Sequence, residues 1–233
     1  MFGKDFELFG TVHLITIFTI IIVSIFLPKF FKNKPEQQKS IMSKAIAVII
    51  AAHVIISPYK DLVWLETPYD WRETLPLQMC DMSEIFLVWF FLGGPRVLYT
   101  CAFFWGLGGA AMAILTPDVL KIDLDYIFFM IGHGMIIVGI MYATLALGNS
   151  PYAKDIIKVS AITTLILLPI VYVINIILGE PANFWYLAGK PQGASLMDAF
   201  PEPPLHLLYA VPLTIAVFYL IYIPYFIKDK ISK

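Results

Sequence analysis

Apolar stretches recur along the whole chain, at approximately 11–31, 41–58, 75–93, 97–115, 124–147, 156–178 and 205–227, separated by short polar breaks. A helix needs about 20 apolar residues to cross a hydrocarbon core at ~1.5 Å per residue, and most of these segments reach that length. The segments at 41–58 and 97–115 are shorter and borrow flanking residues. Each break has a chemical cause. Pro35 among Lys32, Lys34 and Lys39 ends the first segment, and Gly93-Gly94-Pro95 turns the third into the fourth. Thr116-Pro117-Asp118 and Gly148-Asn149-Ser150-Pro151 stop the fourth and fifth. The pattern predicts an all-α, polytopic transmembrane bundle of about seven spans, forming a single integral membrane domain over 1–233. Two connecting segments exceed simple turns. Residues 59–74 carry Trp64, Tyr69 and Trp71 and suit an amphipathic stretch at the interface, and 179–204 suit a lid or re-entrant segment.

Composition agrees. Of 233 residues, 59% are hydrophobic and 14% charged, where a soluble domain carries roughly 25% charged residues. The net charge of −1 and the lack of a basic stripe give nucleic acid no footing. Charge also sets an expected orientation. On alternate sides of the spans, the chain's 16 Lys and Arg residues divide unequally, leaving only Lys4, Lys60, Arg72, Lys121 and Lys190 on one side. The richer side is expected to be cytoplasmic, which puts the N-terminus outside and the C-terminus inside. No internal repeat appears, so an inverted-repeat transporter gains no support.

On this topology the ionisable residues collect in the outer halves of the spans. Cys80, Asp81 and Glu84 lie near the outer start of the third span, and His53 just before the outer end of the second. His133 lies ~14 Å inside the fifth span. Asn175 and His206 are near the outer ends of the sixth and seventh. Such groups are costly in a bilayer and usually face a cavity or one another, which predicts one polar cavity open to the outside. His13 is expected to be solvated at the interface. For His53 and His206, helix capping or interfacial hydrogen bonding competes evenly with function. His133, between Gly132 and Gly134, fits an interhelical hydrogen bond or a functional role, and the functional role is favoured.

Cys101 reads as a buried, inert thiol. Cys80 differs through its neighbours. With Pro76 as the first helical residue, Cys80 lies at the positive end of the helix dipole, which favours a thiolate. Asp81 and Glu84 act against this when ionised, and Glu84, four residues on, shares the Cys80 face. A thiol with a histidine is the minimum for covalent acyl chemistry.

The chain resembles the YwaF-like bacterial membrane proteins and the related transmembrane-protein-164 family. The resemblance rests on Leu75-Pro76-Leu77-Gln78-Met79-Cys80-Asp81, Phe104-Trp105-Gly106-Leu107-Gly108-Gly109 and Leu115-Thr116-Pro117-Asp118. It continues through Phe128-Phe129, Gly132-His133-Gly134, Asn175, Leu178-Gly179, Asn183-Phe184-Trp185-Tyr186-Leu187, Lys190-Pro191 and Ala194-Ser195-Leu196-Met197-Asp198, over about residues 72–200. The animal branch resembles a lipid acyltransferase that moves a fatty acyl chain onto a lysophospholipid through a cysteine. By this resemblance Cys80 is the nucleophile and His133 its activator. Asp81, Glu84 and Asn175 are supporting residues, and Gln78, Asp118, Asn183, Lys190 and Ser195 are substrate contacts. Gln78 departs from the histidine common in relatives. The resemblance implies a bacterial cell membrane, a phospholipid or lysophospholipid partner and no cofactor.

Three functions compete. An acyltransferase or acyl hydrolase would use Cys80 and His133, with Lys190 on a phosphate and Asn175 donating to the oxyanion. An outward-facing binding or transport protein would use Asp81, Glu84, His133 and Lys190. A metal-dependent hydrolase on His53, His133, His206, Asp81 and Glu84 ranks last, because no histidine pair has a short ligand spacing. The first is the expectation, and its site lies in the outer half of the bilayer.

Overall fold

The computed structural model describes residues 2–65, 69–190 and 196–231. Among them the fold is all helical. Helices α1 (Thr11–Lys32), α2 (Glu36–Val63), α4 (Arg96–Leu115), α5 (Leu124–Leu145), α6 (Ala153–Leu178) and α7 (Leu207–Ile231) each hold a stretch long and apolar enough to cross a membrane. Their outer faces carry large apolar side chains. Phe18, Ile22 and Phe26 of α1 and Leu208, Leu220 and Ile231 of α7 are all more than half exposed, a surface suited to lipid chains rather than water.

The third segment departs from expectation. Helix α3 is Met79–Phe91, 13 residues, where 75–93 was predicted. At ~1.5 Å per residue it covers about 20 Å, less than the ~30 Å hydrocarbon core, so among the described residues six helices rather than seven meet the length for a full crossing. Pro76 is the physical reason. It has no N–H, and it biases Leu75 away from helical angles. Pro76 is therefore outside the helix and not its first residue, and Cys80 stands second in α3. The predicted interfacial stretch at 59–74 is partly helix, because α2 continues through Pro58 to Val63. After it, Arg72 Nε and Nη2 grip the Asp70 carboxylate at 2.9 and 2.7 Å.

The chain divides into two compact units, residues 1–57 with 80–150, and residues 58–79 with 151–233. In the first, α1 packs along α5, and α4 and α5 form the interior, with Tyr99, Phe103, Phe104, Trp105, Ile136 and Ile140 fully buried. Lipid offers no hydrophobic drive for this packing, so close approach and hydrogen bonds hold the helices together. Gly106 lets α4 and α5 approach closely, since a Cβ there would come within 2.5 Å of Ile136 and Ile140. Tyr99 Oη reaches Thr144 Oγ1 and donates to Asn149 O, both at 2.8 Å. The π-helical turn Gly106–Ala110 interrupts α4 in its glycine-rich stretch.

His13 belongs to this packing and is not solvated at the interface. It is 1% exposed. Its Nδ1 accepts the Phe9 N–H at 3.0 Å, so Nε2 carries the hydrogen and donates to Ile114 O at 2.8 Å. That carbonyl is in the last turn of α4, where the helix supplies no partner for it.

In the second unit, α6 contains a π-helical stretch at Ile162–Leu167 and its first half packs on α7. The segment after α6 forms short 3₁₀ turns at Phe184–Tyr186 and Leu196–Ala199. Phe184 and Leu187 are buried with Val171 and Ala182, and Leu75 and Leu77 pack on the cluster.

Candidate functional site

In the first unit, Cys80 is in the opening turn of α3, where backbone N–H groups lack helical partners and the dipole favours negative charge. The thiol is free and half-buried. It faces the π-helical turn of α4, where a Cβ on Gly109 would be 3.7 Å from Sγ. A π-turn admits an extra residue and recurs at functional sites. The Phe104–Gly109 motif thus lies beside Cys80, a juxtaposition that neither shows alone.

One turn on, Glu84 is 2% exposed. Its Oε2 lies 2.9 Å from His53 Nδ1, and His53 Nε2 donates to Phe128 O at 3.0 Å. Gly132 makes this possible, because a Cβ there would fall 2.4 Å from His53 Cε1 and 2.9 Å from Glu84 Oε1. The glycines beside His133 therefore serve other side chains, and Gly134 admits Ile20 of α1. His133 itself bonds within its own helix. Its Nδ1 donates to Phe129 O at 2.8 Å, which puts the hydrogen on Nδ1 and the lone pair on Nε2. His133 and His53 are near enough for their charges to interact, as are Cys80, Asp81 and Glu84. Among the described residues Cys80 makes no hydrogen bond, to His133 or any other group. Asp118, after α4, is exposed.

The other candidates are in the second unit. Asn175 holds the Phe184 backbone at both ends: Oδ1 accepts its N–H and Nδ2 donates to its carbonyl, each at 2.9 Å. Gln78 Oε1 accepts the Trp185 N–H at 3.0 Å, and Trp185 Nε1 donates to Leu77 O at 2.9 Å. These bonds pin Trp185 at φ +59°, a conformation few non-glycine residues adopt. Asn183 closes a turn, its Oδ1 accepting from Ala188 and Gly189 at 3.0 and 3.1 Å. Lys190 donates to Phe200 O at 2.8 Å and pairs with Glu202 at 3.0 Å. Ser195 lies outside the described residues. His206 is 1% exposed and its Nδ1 has no partner, while its other ring nitrogen donates to the Tyr186 carbonyl. Burial foremost, and the charge of Lys190, hold the His206 imidazole below the usual histidine range.

This unit also contains a cavity of about 120 Å³ lined by Leu168, Trp185, Leu187, Val211, Ile215 and Phe218, with Ser160, Thr163, Thr164 and Thr214. The threonines turn their hydroxyls onto Val159 O, Ser160 O and Ala210 O at 2.7–2.8 Å, leaving their methyls as wall. Ser160 Oγ alone is buried and unpartnered there. No group of three His, Cys, Asp or Glu among the described residues could hold a metal ion.

Six apolar membrane-length helices and polar side chains gathered inside them define an integral membrane protein of the helical class. The profile of the TMEM164 family matches residues 8–222, well beyond the 72–200 stretch that carries the motifs, and the chain belongs to that family. No curated protein and no solved structure matches it significantly.

Sequence reasoning missed two features. One is the His53–Glu84 pair, whose signal was Gly132. The other is the anchoring of Trp185 by Gln78, which leaves no periodic trace.

Proposed function

We propose that the protein is a membrane-embedded lipid acyltransferase, or acyl hydrolase, that works through a thioester on Cys80. The observation that carries this reading is the Cys80 thiol in the first turn of α3, facing Gly109 in the π-turn. His133 supports it, because the bond from Nδ1 to Phe129 O leaves Nε2 as the basic atom.

In this mechanism His133 Nε2 takes the Cys80 proton and the thiolate attacks the ester carbonyl of a phospholipid. The carbon–oxygen bond breaks, and the leaving lysophospholipid takes the proton from His133. A second lysophospholipid hydroxyl, or water, then gives its proton to His133 and attacks the thioester. The thiolate leaves and recovers that proton. Positive charge at the α3 N-terminus stabilises the thiolate. With the N-terminus outside, the site opens to the outer leaflet. His133 must approach the sulfur during the reaction, since no hydrogen bond joins them here.

Turnover of a mixed phospholipid and lysophospholipid bilayer tests the reading. Cys80→Ala and Cys80→Ser abolish acyl exchange, and His133→Gln reduces it by about 10²–10⁴-fold, the usual worth of a general base. Full turnover by both Cys80 variants would sink the proposal.

A buried carboxylate–imidazole pair at membrane depth also suits a proton or solute site, so a binding or transport protein is the second reading. There Glu84→Gln abolishes uptake while Cys80→Ala is mild.

A further inference from the structure

The contact between His53 and Glu84 fixes a proton count. His53 Nε2 is 3.0 Å from Phe128 O, and a carbonyl oxygen only accepts, so this nitrogen carries a hydrogen. His53 Nδ1 is 2.9 Å from Glu84 Oε2. A bare imidazole lone pair facing a carboxylate lone pair at that distance would repel it. A proton therefore lies between them, on the nitrogen as imidazolium against carboxylate or on the oxygen as imidazole against carboxylic acid. Both forms hold one more proton than imidazole plus carboxylate, and both have zero net charge.

The surroundings favour keeping that proton. Glu84 is 2% exposed, and an ionised carboxylate stripped of its partner there would carry a desolvation cost of several kcal/mol. Gly132 closes over both side chains and leaves no room for a side chain of its own. The titratable groups that act on the pair and on the thiol are Asp81 and Cys80 on α3 and His133 on α5. Glu84 stands four residues after Cys80 on one helical face, roughly 5–6 Å away between Cβ atoms. A lone carboxylate at that distance opposes thiolate formation, and a neutral pair does not.

We propose that His53 and Glu84 form a positioning pair for Cys80, cancelling the charge one turn beyond the thiol so that the thiolate forms beside a neutral group. The pair gives up no proton in the reaction; the Cys80 proton goes to His133. The inference deepens the acyl-transfer reading and rests on it for its purpose, but its test reads the thiol alone.

The test is the rate of Cys80 alkylation by iodoacetamide against pH, read by intact mass on the full chain in lipid nanodiscs. A Cys101→Ala background leaves Cys80 as the sole thiol. His53→Gln strands Glu84, and once the pH is high enough to ionise that buried carboxyl its charge opposes the thiolate, so the profile moves to higher pH by roughly one unit, about tenfold in rate below the midpoint. Glu84→Gln and the double variant His53→Gln/Glu84→Gln are neutral at this place, and their profiles superimpose on the parent. A merely structural role would leave the double variant as impaired as His53→Gln, and that result overturns the proposal. So does a His53→Gln profile identical to the parent. Where His53→Gln does not fold, Glu84→Gln decides alone, because a shift to lower pH would mean that the native pair is anionic. Lipid turnover measured in parallel separates the two claims. Expected alkylation profiles without any acyl exchange retain the pair and reject the acyltransferase.

Discussion

The Cys80 sulfur faces Gly109, and a Cβ on that glycine would stop 3.7 Å from Sγ, at ordinary van der Waals contact. A methyl group fits there without overlap, and a longer side chain would crowd the sulfur. Gly109→Ala therefore folds and leaves alkylation of Cys80 little changed. Gly109→Leu crowds the sulfur and slows alkylation severalfold without lowering the unfolding temperature. Equal rates in all three proteins would show that the thiol is reached from another side.

Gly132 is more demanding. A methyl there would overlap His53 and Glu84 at 2.4 and 2.9 Å, so Gly132→Ala forces the pair or α5 to shift. The expected cost is about 1–3 kcal/mol, as for overpacking elsewhere, read as a lower unfolding temperature in detergent. Gly148→Ala is the control, because its site is open and only its positive φ, +75°, resists the change.

Much of the fold was legible in the sequence because bilayer thickness and hydropathy act locally. α1, α5 and α7 begin within two residues of their predicted starts. α3 was misjudged because Leu75 and Leu77 read as helix by hydropathy yet are drawn into the Phe184 cluster. His13 was misread because its partner, Ile114 O, is 101 residues away. The site was half legible. Cys80 and His133 stood out as chemistry in apolar context, whereas the His53–Glu84 pair depends on three helices meeting at Gly132. Asn175 looked like a donor for substrate, but its amide is committed to the Phe184 backbone.

That commitment makes Asn175 a structural test of the second unit. Asn175→Ala leaves the N–H of a fully buried residue without a partner, at about 1–3 kcal/mol, and leaves its carbonyl only the 3.4 Å bond from the Leu187 N–H. Limited proteolysis between residues 179 and 190 should then be faster, and Trp185 fluorescence should shift to the red. Asn175→Asp keeps the acceptor for the Phe184 N–H and should fall between the two.

His206 gives the same unit a pH dependence. Its folded affinity for a proton is lower than that of an unfolded histidine, chiefly through burial, so the unfolded chain binds the proton first as pH falls. The contribution to stability is complete above the ordinary histidine value of 6.5 and is lost on acidification below it. Unfolding temperatures measured from neutral pH downward should fall, and His206→Gln should flatten the slope. An unchanged slope in that variant would assign the effect to other groups.

The most direct measurement is the intact mass of the purified protein after incubation with phospholipid, beside Cys80→Ala. A fatty-acyl increment on the wild type alone, removed by hydroxylamine, is the predicted result and identifies a thioester on Cys80. An increment of the same size on Cys80→Ala, or acyl exchange by that variant, would contradict the account.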